Sequence, residues 1–260
     1  MLESADRVLR VLETFTPHER DLSLTDIARR LDLPKSSVHR LLATLIEHGL
    51  VERDQLSRRY RLGIKLFEIG STAIQERGLH SAAYPILEGL TLLTGETTHL
   101  AVLSGIEAVY VYKIDSPSSI MMPSRVGGRA PCHCTSIGKV LLAWNTQDLY
   151  SQVVWSGLRP YTRNTLTTVE ALEAELVKVR AQGYALDLEE FEEGLHCLAA
   201  PVRDHGGRVI AAVGVAGPSR RLTEDQLRRL VPQVTDSALE LSRNLGYVPS
   251  ARLLPAAAGS

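Results

Sequence analysis

Residues 24–42 read LTDIARRLDLPKSSVHRLL, and this stretch predicts two short helices joined by a tight turn. The apolar residues of its first half recur at helical spacing, at Leu24, Ile27, Ala28 and Leu31. Ser23 or Thr25 supplies an N-cap hydroxyl for the first helix, and Pro34 suits the first turn of the second. Two helices connected in this way form a helix-turn-helix unit.

The second of these helices is expected to run to about His48, because Gly49 then stops it. Its inward face is predicted to hold Val38, Leu41, Leu42, Leu45 and Ile46. The outward positions near its start are Lys35, Ser36, Ser37, His39, Arg40 and Thr44. Hydroxyls and cations of this kind donate to phosphate oxygens, and arginine also pairs with guanine. We therefore expect these six residues to bind DNA; the alternative is a small helical bundle whose polar residues merely stay in water.

The segment after Gly49 changes from helical spacing to an alternation of apolar and polar residues. Residues 51–53 and 59–62 alternate around a polar connection, which predicts a β-hairpin with Arg58 and Arg59 near its tip. A basic hairpin directly after a recognition helix is a wing that reaches the DNA backbone or a minor groove. Together with a first helix over residues 4–15, these elements predict a winged helix-turn-helix domain over residues 1–63.

Residues 64–78 are amphipathic and predict a linker helix that ends at Gly78, where we place the domain boundary. Its apolar residues face either their own domain or a second copy of the chain. A helix-turn-helix monomer contacts few base pairs, and two-fold dimers that read inverted repeats are the usual solution. We therefore expect a homodimer formed through this region.

The rest of the chain, residues 79–248, alternates helical patterns with hairpin-forming strands. Strands are predicted at residues 97–103, 108–114, 184–188, 195–202 and 208–216, and helices at residues 82–94, 136–145, 169–182 and 223–244. Hairpins combined with separate helices are typical of an α+β domain. Residues 249–260 are rich in Pro and Ala and are expected to be a disordered tail.

The composition of the 260 residues is that of a globular protein, with 44% hydrophobic and 23% charged residues. The net charge of -1 argues against indiscriminate nucleic-acid binding. No apolar run approaches the roughly 20 residues that span a bilayer, and residues 1–6 lack a signal-like pattern. Three cysteines offer no disulfide framework, so we expect a cytoplasmic location and no membrane partner.

The ordered motifs of the chain resemble those of the IclR family of transcriptional regulators over about residues 4–248. The matching stretches include residues 24–28, 33–42 and 49–52, then 133–139, 183–185, 187–190, 193–195, 197–201 and 217–218. The resemblance implies a GAF-like effector-binding domain, a dimer or dimer of dimers on double-stranded operator DNA, and control by a small carboxylate or aromatic metabolite. It implies a regulator of a catabolic operon, for which repression is the expected sign, and no enzymatic activity.

The resemblance also implies where the effector binds. The implied residues are Met121, Met122, Cys134, Thr135, Ser136, Ile137, Asp187, Leu195, Cys197, Gly214 and Ala216. Independently, the junction at residues 135–138 predicts a helix N-terminus, where free N–H groups favour an anion. The alternative is that Thr135 and Ser136 only cap this helix. Lys139 is expected on the outer side of the helix and is left out of the site.

Other chemistries fit the sequence less well. Cys132, His133, Cys134, Asp187, His196 and Cys197 are zinc-ligand types. Their spacing is poor, because adjacent strand residues point to opposite faces, so no metal or other cofactor is expected. No G-x-S-x-G or comparable framework activates a nucleophile. A constitutive DNA-binding protein whose second domain only oligomerises or binds a metal remains the alternative function.

Overall fold

The computed structural model describes residues 3–16, 19–75, 79–117 and 124–249. The chain divides into two compact units, at residues 1–77 and 78–260. The first contains helices α1 (Glu3–Glu13), α2 (Leu24–Leu31), α3 (Lys35–Glu47) and α4 (Lys65–Gln75), with strands β1 (Val51–Arg53) and β2 (Tyr60–Leu62). The second contains helices α5 (Leu79–Thr94), α6 (Ser136–Ala143), α7 (Gln147–Trp155), α8 (Val169–Gln182) and α9 (Glu224–Asn244). Its strands are β3 (Thr97–Ser104), β4 (Glu107–Ile114), β5 (Arg129–Pro131), β6 (Ala185–Leu188), β7 (Leu195–Arg203) and β8 (Val209–Pro218).

The ends of α2 and α3 follow the local capping chemistry. The Ser23 hydroxyl accepts from the Asp26 N–H while the Asp26 carboxylate accepts from the Ser23 N–H, which forms a capping box at the start of α2. Asp32 ends α2 in the left-handed conformation with φ of 52°. Pro34 occupies the N-cap of α3, one residue before the predicted first turn, and Gly49 leaves the helix with φ of +70°.

The core of the first unit confirms most of the predicted inward face. It contains Val11, Leu22, Ile27, Ala28, Leu31, Val38, Leu42, Leu45, Val51 and Tyr60. Ile46 was expected in this core, but its side chain is 38% exposed because it lies one position beyond the buried stripe of α3. The β1–β2 hairpin pairs Val51 with Leu62 and is joined to the segment before α2 by the Leu22–Tyr60 bridge.

The second unit is built on a six-stranded antiparallel sheet with strand order β5-β4-β3-β8-β7-β6. The two faces of its central strands differ in side-chain size. Branched residues Leu100, Leu198, Val213 and Val215 pack against α5 and α9. Small residues Ala101, Ala199 and Ala212 pack against α6 and α8. This α+β architecture confirms the predicted fold class.

Two elements of the second unit were not predicted from the sequence, namely α7 and β5. Helix α7 buries only Leu149 and Val153, and it begins at the Thr146 N-cap directly after α6. Strand β5 has three residues and pairs with β4 through Ala108 and Ala130. The predicted disordered tail at residues 249–260 lies, apart from Pro249, outside the described residues.

Candidate functional site

The outward face of α3 is the first candidate site. Lys35, Ser36, His39, Arg40 and Thr44 are exposed and Ser37 is half-buried, while Val38, Leu42 and Leu45 anchor the opposite face. The Thr44 hydroxyl donates to the Arg40 carbonyl oxygen at 3.3 Å, so this hydroxyl is partly engaged within the helix. Acidic residues are absent from this face until Glu47. The face therefore presents hydrogen-bond donors with a net positive charge.

The two arginines of the hairpin have different surroundings. The Arg59 guanidinium donates to the Asp21 carbonyl oxygen at 2.9 Å, which ties the hairpin to the segment before α2. Arg58 lies in the left-handed region with φ of 58° and is exposed. Within the described residues, the Arg58 side chain makes no hydrogen bond or ion pair. Arg58 is therefore free to meet a phosphate, whereas Arg59 already has a structural role.

The second candidate site is a cavity of about 340 Å³ in the second unit, on the face of the sheet that carries the small residues. Strand pairing sets His99 beside Gly214, Cys197 beside Ala216, and Asp187 beside Cys197. A Cβ at position 214 would lie 3.0 Å from the Leu198 carbonyl oxygen and 3.2 Å from Ile137 Cγ1. These contacts are tight, so glycine suits this part of the cavity floor. The volume falls within the range of small-molecule pockets.

Most of the predicted effector residues of the described segments line this cavity. They are Thr135, Ser136, Ile137, Asp187, Leu195, Cys197, Gly214 and Ala216. Cys134 is fully buried just before α6 and does not line the cavity. Met121 and Met122 lie outside the described residues.

The start of α6 combines a helix cap with an unused donor. The Thr135 hydroxyl donates to the Pro131 carbonyl oxygen at 2.7 Å and accepts from the Gly138 N–H at 3.1 Å. Thr135 is thus the N-cap, as the capping alternative required. The Ser136 hydroxyl, in contrast, makes no hydrogen bond within the described ranges. Ser136 therefore offers the cavity a hydroxyl beside the positive end of the helix dipole.

Sequence reasoning missed the residues on the β3–β4 side of the cavity. These are His99, Tyr110, Ser124, Arg125, Gly128 and Arg129, and the loop after β6 adds Phe191 and Glu192. His99 Nε2 lies 2.6 Å from Ser124 Oγ, and the imidazole packs on the Tyr110 ring at 5.0 Å. Burial lowers the pKa of His99 to about 3, so the imidazole is neutral at physiological pH. Nothing in the alternation of β3 distinguishes His99 from a core histidine.

Lys139 corrects a second sequence expectation, because its side chain is 1% exposed rather than outward. Its ammonium lies 2.5 Å from Glu190 Oε1 and 3.1 Å from Glu175 Oε1. Glu190 in turn donates its N–H to Asp187 Oδ1 at 2.7 Å. A buried ion pair thus lies directly behind the cavity residue Asp187.

The free thiols carry little nucleophilic character. Burial raises the pKa of Cys132 to about 12 and raises those of Cys134 and Cys197 as well. Among the residues that the structure describes, no group of three or more His, Cys, Asp or Glu side chains is arranged to hold a metal ion. Of the helices within the described ranges, none combines the length and apolar character that crossing a bilayer requires.

Comparison with known proteins matches both parts of the chain to one family. Residues 4–55 match the IclR helix-turn-helix domain, and residues 71–243 match the C-terminal domain of bacterial transcriptional regulator IclR. The chain is 39% identical to the HTH-type transcriptional regulator XynR of Escherichia coli over 95% of this chain and 98% of that protein. It is 36% identical to the HTH-type transcriptional repressor AllR of Salmonella typhi over 95% of this chain and 91% of that protein.

A solved structure gives the same result. An IclR homolog from Microbacterium hydrocarbonoxydans, complexed with 4-hydroxybenzoate, has a TM-score of 0.84 and 30% sequence identity to this chain. The match covers 94% of this chain and 99% of the homolog. The family models together span most of the sequence, and the relatives match nearly from end to end. The chain belongs to the IclR family of transcriptional regulators.

Proposed function

We propose that this regulator binds an inverted-repeat operator as a homodimer or dimer of dimers. Its affinity for the operator, or its geometry on it, changes when a small organic acid occupies the cavity. The observation that carries the proposal is the start of α6. There the cavity meets a helix N-terminus and a Ser136 hydroxyl that the fold leaves unused. A carboxylate suits this corner because N–H groups and a hydroxyl donate to it.

DNA binding through α3 is supported by the separation of its two faces. The donors Lys35, Ser36, His39 and Arg40 are exposed on the side opposite the buried stripe. Arg40 is the residue proposed to read a base edge, whereas Arg58 is proposed to meet a phosphate. Arg59 contributes by holding the wing against the segment before α2.

Dimerisation is supported by the apolar side chains around the start of α4. Ile64, Phe67 and Ile69 are 66%, 70% and 55% exposed. Side chains of this size seldom stay in water as a group, and a second copy of the chain supplies an apolar surface to cover them. Pairing two helix-turn-helix units also gives the spacing that an inverted repeat requires.

An organic acid effector is supported by the character of the cavity. Apolar walls from Ile137, Leu195 and Phe191 surround the polar corner at Ser136. A relative of the same fold binds 4-hydroxybenzoate, which is an aromatic carboxylate. Repression, the sign of regulation that we propose, is that of the relative AllR. Coupling between cavity and DNA is a population shift, in which the acid prefers one packing of the sensor domains.

The test is fluorescence anisotropy of the purified protein on DNA from upstream of its own gene, with excess competitor DNA and a panel of small carboxylates. We expect tight, competitor-resistant binding that one acid modulates. Ser136→Ala should keep operator affinity and stability but weaken the response to that acid. Thr135→Ala is the matched variant: it should cost about 1 kcal/mol of stability through loss of the cap.

Three outcomes separate the possibilities. Binding no tighter than to competitor, from this DNA and from a selected library alike, would refute specific DNA recognition. Tight operator binding that no acid of a broad panel alters would favour a constitutive DNA-binding protein. A response that survives Ser136→Ala unchanged would place the acid elsewhere.

A further inference from the structure

The wall between the cavity and α8 contains more carboxylate side chains than ammonium groups. Asp187, Glu190 and Glu175 surround the Lys139 ammonium, and the exposed Lys178 ammonium lies 3.7 Å from Glu175. The Lys139 ammonium bonds Glu190 and Glu175, whose side chains are 11% and 17% exposed. Asp187 is 2% exposed and bonds no cation among the described residues. Three ionised carboxylates would outnumber the two ammoniums, and the excess negative charge would lie in a mostly buried site.

One carboxylate oxygen in this cluster has no partner. Glu190 Oε1 accepts from Lys139, but Glu190 Oε2 is buried and, within the described residues, meets no donor. A fully ionised cluster would satisfy its oxygens with donors, since buried anions are costly otherwise. Burial also raises the pKa of Glu190, so the cluster is one in which an added proton balances the charge that the cations leave unmatched.

Asp187 is the member of the cluster that lines the cavity. The titratable groups that act on it are Glu190 from the segment after β6, Lys139 from α6, Cys134 from the segment before α6, Cys197 from β7 and Tyr110 from β4. His99, Arg125, Arg129 and Glu192 line the same cavity. Burial keeps both thiols and the phenol neutral. Of the groups that act most strongly on Asp187, Lys139 is the one whose charge favours the ionised form. Burial and the neighbouring Glu190 raise the pKa of Asp187 to about 7, although its backbone hydrogen bonds oppose the shift.

We propose that the cavity takes up its organic anion together with one proton, which resides on Asp187 and makes this side chain a hydrogen-bond donor to the ligand. The inference rests on the proposed effector function of the cavity. The proton comes from solvent, and Asp187 Oδ1 continues to accept from the Glu190 N–H while the protonated Oδ2 donates. Lys139 and Glu190 are positioning residues: Lys139 holds Glu190, whose N–H fixes the Asp187 carboxyl, and both set the charge behind it.

This arrangement has a consequence for selectivity. An ionised Asp187 would repel a carboxylate, whereas a neutral Asp187 donates to one of its oxygens. Entry of the anion in turn favours the protonated form of Asp187. Affinity should therefore be constant below about pH 7 and should fall above it by up to about tenfold per pH unit. A neutral amide analogue should show no such dependence.

The first experiment asks whether Asp187 is protonated in the ligand-free, full-length protein. Infrared difference spectra are recorded between about pH 6 and about pH 8, where exposed carboxyl groups are ionised. The wild type should show the C=O stretch of a neutral carboxylic acid that disappears as the pH rises. Asp187→Asn should lack this band, and Glu190→Gln should move its disappearance to lower pH because a neighbouring carboxylate is removed.

Two results of this experiment would overturn the inference. One is the absence of a neutral carboxyl band throughout the range. The other is a band that survives Asp187→Asn and vanishes in Glu190→Gln, which would place the proton on Glu190.

The second experiment is calorimetric titration with 4-hydroxybenzoate and 4-hydroxybenzamide at about pH 8, in two buffers that differ in ionisation enthalpy. If a proton is taken up with the anion, the binding enthalpy of 4-hydroxybenzoate should differ between the two buffers. Asp187→Asn should abolish this difference. Binding of the acid with no buffer dependence would refute the coupling. If 4-hydroxybenzoate gives no binding heat, the result counts against the proposed ligand class. The infrared experiment alone would then show whether Asp187 is protonated.

Discussion

Replacing Lys139 by methionine should destabilise the second unit more than any surface substitution of the same kind. The variant Lys139→Met keeps most of the aliphatic stem but removes an ammonium that is 1% exposed and bonds two carboxylates. Glu190 Oε1 would then lose its ammonium partner, while Oε2 already lacks a donor among the described residues. Removing one partner of a buried pair typically costs about 3–5 kcal/mol, because the other charge stays buried and uncompensated.

The assay is urea unfolding followed by tryptophan fluorescence. Both tryptophans, Trp144 and Trp155, lie in the second unit, so their signal reports the unfolding of that unit. Lys178→Met is the matched control: Lys178 is 56% exposed and lies 3.7 Å from Glu175, the same carboxylate that Lys139 bonds. An exposed pair of this type contributes about 0–1 kcal/mol.

A second variant separates loss of packing from loss of charge balance. If the orphaned Glu190 carboxylate causes most of the cost, Lys139→Met combined with Glu190→Gln should be more stable than Lys139→Met alone. Equal unfolding free energies for the Lys139 and Lys178 variants would refute the reasoning. So would a double variant whose loss is the sum of the two single losses.

Three further substitutions probe the other parts of the molecule. Arg40→Ala should weaken operator binding by about 1–3 kcal/mol and relax selectivity at one base pair per half-site, whereas Arg228→Ala, an exposed arginine of α9, should change neither in the same anisotropy assay. Arg58→Ala should weaken binding to all DNA sequences alike and flatten the salt dependence of binding. Arg59→Ala should also lower the thermal stability of the first unit, because it frees the hairpin from Asp21. Equal melting temperatures for the two variants would contradict this assignment. For Asp187, the folded pKa of about 7 exceeds the unfolded value. Its contribution to the free energy of unfolding is therefore constant below about pH 4 and falls as the pH rises from there to about 7, at up to about 1.4 kcal/mol per pH unit. The difference in unfolding free energy between wild type and Asp187→Asn, measured at about pH 5 and about pH 8, should follow this sign.

Periodicity and capping were sufficient to predict elements with strong local signals. Helix α8 has the predicted bounds because Thr168 caps its start and Gly183 leaves it with φ of 83°. Helix α7 was missed because two buried residues over nine positions make a weak stripe. Strand β5 was missed because its three residues gain their structure from pairing with β4, which is a tertiary effect.

The candidate site divides in the same way. The corner at Thr135 and Ser136 was predictable because a helix start is a local feature with a physical role. His99 and Tyr110 were not, since alternation gives two faces to a strand but does not say which of them meets a cavity. The position of Lys139 was also beyond sequence reasoning, because its burial depends on Glu190, which lies 51 residues further along the chain.

The alternation of small and branched residues along β7 and β8 lets the two faces of one sheet change independently. The side chains of Val213 and Val215 belong to the core with α5 and α9, whereas Gly214 and Ala216 border the cavity, which Val215 also touches. A larger side chain at position 216 would take space from the cavity, whereas a side chain at position 214 would first press on the Leu198 carbonyl oxygen and Ile137. Ligand preference would then depend on how much of the cavity floor the side chains fill. If the cavity binds an effector as proposed, substitutions at its floor would change which ligand fits while the core with α5 and α9 keeps its residues.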